Sequence, residues 1–537
     1  MRFAIVLWAF SVALTAFCTS AEASDLYEIR HDRWSSRDEQ DYRAFIAGIG
    51  QSDCSTLDSC LRSGANPFRG TDRPGVVFSS DCAELPYILR FYFAWKRGLP
   101  FSFESAVAAR GDAAHDLRYS RNGNEVTERF DVPSGANGYA SMERLRGAVS
   151  SASYRIHPDL ETPLEPDFYS PAIAPASINP GTVVYDPAGH VGVVFDVDAK
   201  GRLRFFDAHT DFSLTQMTYD LRFSRMKPSV GAGFKNWRPV RLVGFKTRAD
   251  GVLIGGHIEV APNKDIADFS GEQFFGNGKR TTDADWKNGT FSLNGEALDY
   301  YDYVRAQLAG GTLLFEPVSE IADMARSNCL DLHYRAQAVA LAIGRGMQNR
   351  PEPDRLPYNI YGADGDWEMY STPSRDARLK TAFKHLRDTA QRFVEMAARR
   401  DPHLSYSGTG IAGDLLRAYE AATRYCRISY ANSDGSHVTL SYEDARKRLF
   451  AMSFDPYQCI EHRWGDTQAA TCTDGALKRA WYDAEQTLRN QIERTYDARM
   501  DFSLDDLQAR HPGVAAAPDT DVRAYLMRVG AQAERAP

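Results

Sequence analysis

Between residues 85 and 95, Leu85, Ile88, Leu89, Tyr92 and Trp95 recur at three- and four-residue spacings. That spacing paints one face of an α-helix, and Gly98 with Pro100 beyond it supplies a helix stop. Further along, the pattern changes to that of strands. The stretches 182–185, 190–197 and 202–207 are short, rich in Val, Phe and Tyr, and bounded by turn residues, so they predict strands. Asp198-Ala199-Lys200-Gly201 predicts a hairpin between the last two. A closing strand is expected over 237–245 and another over 252–260, while the Pro-, Ala- and Ser-rich 170–180 predicts a surface loop. From about residue 300 the helical period returns and persists. Helices are predicted over 301–309, 329–346, 377–399, 413–426, 442–452 and 477–500. Ahead of the third, Thr372 can cap, Pro373 suits the first helical position and Asp376 suits the positive end. The expected fold class is therefore α+β for 24–245 and mainly α-helical for 301–537, with 246–300 as a linker carrying a strand hairpin.

The first 23 residues carry a different signature. Arg2 precedes a mostly apolar run over 5–17, and Ala21-Glu22-Ala23 is a small-x-small cleavage signal. This predicts a signal peptide over 1–23 and an exported protein, periplasmic or extracellular. No later stretch is long and apolar enough for a transmembrane helix, so no integral membrane segment is expected after cleavage. At 537 residues the chain is too long for one ordinary core. A net charge of −8 gives no basic footprint for nucleic acid.

Export changes the reading of the cysteines. Cys18 leaves with the signal, and seven remain. Exported thiols normally pair, so an odd count marks a candidate reactive thiol. Local spacing favours Cys54–Cys60 and Cys459–Cys472, leaving Cys329–Cys426 to join two helices and Cys82 over. Cys82 stands at the start of the first predicted helix. A thiol of ordinary pKa is only about 3% thiolate at neutral pH, and a helix N-terminus or a nearby imidazole raises that fraction. His190 opens a predicted strand and is the candidate base. Asp207 ends the next strand and is the candidate residue that orients the imidazole, with His209 as the alternative. With a two- or four-residue hairpin loop, Gly192 lies opposite Asp207 and His190 opposite His209, all on one face. A three-residue loop with a Gly201 bulge would flip the second strand. Gly189 and Gly192 flank His190, where they would let a substrate backbone approach. Pro86 cannot bond to the carbonyl of Cys82, so it belongs in a first turn.

Asp81-Cys82, Pro180-Gly181-Thr182-Val183-Val184-Tyr185, Gly189-His190-Val191-Gly192 and Phe205-Phe206-Asp207 together resemble the NlpC/P60 family of papain-like cysteine peptidases. The family's usual Ser-Gly after the cysteine is Ala83-Glu84 here, and its frequent third His is Asp207. The chain is also similar to a transglutaminase-like core through Lys96-Arg97-Gly98-Leu99-Pro100 and Asp207-Ala208-His209-Thr210. The resemblance spans roughly residues 75–245. It implies a papain-like domain, a Cys82–His190–Asp207 set, no cofactor, and a peptide or peptidoglycan-like substrate cleaved at an amide bond. The alternatives are acyl transfer and a non-catalytic binding or scaffold protein. No metal is expected. Asp364-Gly365-Asp366-Trp367-Glu368 has alternate carboxylates, but Arg375 stands where a calcium loop needs Glu. The remaining histidines, His462 among them, show no ligand spacing.

Overall fold

A computed structural model describes residues 25–533, apart from 112, 115, 161, 189, 224, 363, 364, 371, 372 and 495–497. The signal-like segment, Cys18, Gly189, Asp364 and the capping Thr372 lie outside the described residues.

The centre is a six-stranded antiparallel sheet. Its strands are β1 (Phe168–Tyr169), β2 (Val183–Asp186), β3 (His190–Val197), β4 (Leu203–Ala208), β5 (Leu214–Thr218) and β6 (Gly233–Trp237), in spatial order β1-β6-β2-β3-β4-β5. Helices α1 (Ser36–Gln51) and α2 (Glu84–Arg97) share one core with Val183, Tyr185, Val191, Val193, Phe195 and Phe206. The alternate residues Val184, Val194, Leu203, Phe205 and Phe234 pack with α3 (Tyr300–Leu308) in another. A sheet covered on two faces is why these strands are nearly continuous apolar runs. Helix α2 ends as expected, with Gly98 in the left-handed region at φ 66° and its N–H turned back to Ala94 and Trp95.

The α+β expectation holds, and the second half is mainly helical. Helix α4 (Pro317–Gly344) and helix α5 (Pro373–Arg399) pack together with α6 (Ile411–Thr423). The disulfide Cys329–Cys426 ties α4 to the chain just after α6. Closing a loop of 97 residues restricts the unfolded chain by roughly 4–5 kcal/mol. Cys54–Cys60 and Cys459–Cys472 are the other two disulfides, as the spacing favoured. No described helix is long and apolar enough to cross a membrane.

Two hairpins go beyond the predicted elements. Ser102–Ala109 pairs with Asn124–Asp131, and Arg427–Ala431 pairs with His437–Ser441. The predicted helix over 477–500 is shorter, ending with Gln486–Arg489. Within the predicted linker 246–300, Lys246–Thr247 pairs with Leu253–Ile254, and Glu272–Phe275 lies on the sheet. Gln273 is buried and bonds to Phe234 and Ser170, and Phe274 and Phe275 are buried beside it.

The helical half lies against the sheet end that carries His190. Arg494 pairs with Asp186 at 3.1 Å, Arg222 with Asp331 at 3.0 Å, and the rings of Tyr119 and Tyr361 stack at 4.6 Å.

Candidate active site

The site begins with the turn ahead of α2. The Leu85 N–H already closes on the Asp81 carbonyl at 3.2 Å, so Cys82 stands at the start of helical geometry although the regular helix begins at Glu84. Pro86 falls in that first turn, where a missing N–H costs nothing. The Asp81 side chain accepts from the N–H groups of Ala83 and Glu84 at 2.9 Å each, and the Glu84 carboxylate accepts from the Asp81 N–H at 3.1 Å. This reciprocal cap has an electrostatic consequence. A bare helix N-terminus pulls a thiol down, but here the N–H groups of Ala83 and Glu84 are given to the Asp81 carboxylate. Burial, and next the Asp81 charge, push the thiol up, against a pull from the Val191 N–H at the sulfur. Cys82 is the cysteine outside the three disulfides, and it is half-buried.

Strand register brings the second part. Gly201 takes φ 71°, and the Asp198 N–H reaches the Arg202 carbonyl at 3.0 Å, so the hairpin is the three-residue loop with a glycine bulge. Val197 accordingly faces Leu203. Alone, this would turn Asp207 away from His190. A second irregularity between Val194 and Asp196 shifts the ladder back, pairing Val194 with Phe205 and Val193 with Phe206. Continued along the strands, that register sets Gly192 across from Asp207 and His190 across from His209. The two bulges cancel.

His190 Nε2 contacts Asp207 Oδ2, and both residues are buried. His209 Nε2 lies farther from the same oxygen, at 3.7 Å. It bonds instead to the Thr215 hydroxyl at 2.8 Å, which donates to Asp207 Oδ1 at 2.7 Å. A hydroxyl that donates to the carboxylate accepts from His209, so His209 carries its proton on Nε2. Of the two candidates for the third residue, Asp207 makes the direct contact and His209 acts through Thr215. Burial alone raises the Asp207 carboxyl, but the two imidazoles and these hydrogen bonds outweigh it and hold the group at about 2. His190 is lowered, first by burial and then by the Arg378 charge, despite the raising pull of Asp207. Burial takes His209 down to about 4. The resting set is therefore a neutral thiol, two neutral imidazoles and a carboxylate. A proton on Nε2, the nitrogen beside the Asp207 carboxylate, leaves Nδ1 of His190 as the basic atom.

The expected role of Gly192 changes. A Cβ there would lie 2.3 Å from the Phe205 ring, so this glycine makes room for core packing rather than for substrate. Gly192→Ala is expected to lower stability by about 1–3 kcal/mol through overpacking. The check is the urea midpoint at unchanged slope, and an unmoved midpoint would refute it.

Residues from the second half complete the wall. The Arg378 guanidinium, on α5, acts electrostatically on Cys82, Asp207 and Asp186 and is itself lowered to about 10, mainly by burial. The Tyr334 ring, on α4, stacks on His209 at 4.1 Å. Periodicity showed helices here but could not show that Arg378 faces the thiol, because an inward arginine looks like any charged helix position.

No protein-family model, curated protein or solved structure matches this chain.

Proposed function

We propose that the protein is an exported cysteine hydrolase that cleaves an amide bond, with Cys82 as nucleophile, His190 as general base and Asp207 as the group that orients the imidazole. The observation that carries this reading is the junction of α2 with β3. The Cys82 sulfur sits on the Val191 N–H, one residue from His190, which is anchored to a buried carboxylate. Three disulfides support export, and the substrate class, a cell-wall peptide, follows from the resemblance to papain-like peptidases.

The thiol is neutral at rest, so attack and proton transfer go together. Cys82 Sγ adds to the carbonyl carbon as His190 Nδ1 takes the thiol proton. Asp207 stabilises the imidazolium that forms. The imidazolium then protonates the leaving amine, the C–N bond breaks, and a thioester remains. Water, deprotonated by the same nitrogen, releases the acid. The Arg378 charge lowers the thiol and favours anionic character at the sulfur.

This predicts a pH profile of definite shape. The base must be neutral and its value is lowered, so activity should rise with pH through a midpoint below 6.5. It should then stay level past the ordinary thiol value of about 8.5, because Cys82 is raised. A resting thiolate–imidazolium pair would instead lose activity as pH climbs through the imidazole value. A bell centred near neutrality would contradict the neutral-pair mechanism. The functional test is incubation of the mature chain with purified peptidoglycan fragments and mass analysis of products. Matched new amino and carboxyl termini are expected. Coupling of an added primary amine to glutamine side chains without cleavage would replace hydrolysis by transfer.

A further inference from the structure

Away from this site, the helical half carries a cluster that the hydrolase chemistry does not use. Cys459, His462, Cys472 and Asp474 are all buried, and one donor atom from each lies within 4.8 Å of the others. Cys459 and Cys472 are joined as a disulfide. His462 Nδ1 lies 2.8 Å from Asp474 Oδ2 and 3.8 Å from Cys472 Sγ. We propose that reduction of the Cys459–Cys472 disulfide converts this cluster into a closed four-ligand site for a zinc-type divalent cation.

The donor set fits such an ion. Two thiolates, one imidazole and one carboxylate make a tetrahedral shell with no open position, the mark of a structural rather than a catalytic zinc site. The supporting contacts are already in place. The Cys459 N–H donates to both Asp474 oxygens at 3.0 Å, and the His462 ring lies flat on Tyr482 at 4.0 Å between centroids. Arg479 donates to the Asp474 carbonyl at 2.9 Å, placing a cation beside a shell that would carry one net negative charge. The sulfurs must part to roughly 3.8 Å for bonds of about 2.3 Å to a tetrahedral ion, and His462 Nδ1 and Asp474 Oδ2 must open from 2.8 Å to roughly 3.3 Å for bonds of about 2.0–2.1 Å. The spacing is visible in the sequence as Cys459-x-x-His462 followed by Cys472-x-Asp474, a pattern hidden when the cysteines are assigned only to disulfides.

The exchange balances as follows. A dithiol reductant supplies two electrons and two protons, the S–S bond breaks, two thiols form, and the reductant leaves as its disulfide. The cation then displaces both thiol protons to solvent, the Nδ1 proton that His462 gives to Asp474 is released while Nε2 takes one up from solvent, the bared Nδ1 binds the ion, and Asp474 gives one oxygen.

The test is titration of the full reduced chain with Co(II) under argon. One equivalent is expected, with tetrahedral visible bands and a thiolate charge-transfer band, and none in the oxidised chain. Zinc should displace cobalt, raise the melting temperature of the reduced chain and shield Cys459 and Cys472 from alkylation. His462→Gln and Asp474→Asn, which keep both cysteines, should each weaken binding by more than the roughly tenfold that loss of a supporting group costs. The oxidised melting transition of each variant checks its folding. His333, beside the Cys329–Cys426 disulfide, is the control. His333→Gln should leave the titration unchanged. Absence of a stoichiometric equivalent in the wild type would overturn the proposal. So would a signal that survives in both variants, or one that disappears only in His333→Gln.

Discussion

Cys82→Ala is expected to lower amide cleavage by at least about a thousandfold while leaving the fold in place. The size follows from the chemistry. Without the sulfur no thioester can form, and His190 with Asp207 offers only weak general-base help to water. The fold should survive because Cys82 lies outside the three disulfides and is only half-buried against the α2 core. The removed sulfur accepts from the Val191 N–H, so some stability is lost, but a single neutral hydrogen bond contributes about 1 kcal/mol. Activity is read with the peptidoglycan fragments and folding by the thermal transition. Full activity in a folded Cys82→Ala would end the hydrolase reading.

The second large effect is expected at Asp207. Asp207→Asn nearly preserves shape but removes the charge that His190 Nε2 contacts and that Thr215 donates to. The carboxamide can present an N–H to Nε2, which drives the imidazole to the tautomer with its proton on Nδ1, the nitrogen that must be bare. A loss of about a hundredfold or more is predicted, chiefly in kcat. His209→Ala should cost less, since that ring reaches the carboxylate through a hydroxyl. A greater loss at His209 than at Asp207 would keep the enzyme but exchange the third residue.

Much of the site was legible in the chain because strand alternation and helix periodicity are local. The cysteine at a helix start, the histidine opening one strand and the aspartate closing the next follow from spacing alone. Their meeting did not. The loop at Gly201 is the kind that flips the strand, and the compensating bulge at residues 194–196 has no sequence mark among apolar residues packed on two faces. The charge state of the thiol is hidden for a similar reason. Burial by tertiary packing raises the Cys82 thiol first, and the charge of Asp81, which caps the helix start one residue before it, raises it next. The contribution of the second half was hidden altogether, because Arg378, Arg494 and Tyr334 reach the site through tertiary packing. The predicted 477–500 helix stops at Arg489, and Arg494 beyond it forms the buried pair with Asp186. The hairpin over 427–441 carries its own signal in the turn residues Asn432, Ser433, Asp434 and Gly435 between alternating Ile428, Tyr430, Val438 and Leu440.

The most direct test of the central claim is an acid quench during turnover of peptidoglycan fragments, followed by peptide mass analysis. The account predicts a hydroxylamine-labile thioester on the peptide that carries Cys82, equal in mass to the acyl half of the cleaved substrate and absent from Cys82→Ala. Turnover that proceeds with no adduct on Cys82, and at an equal rate in Cys82→Ala, would contradict it.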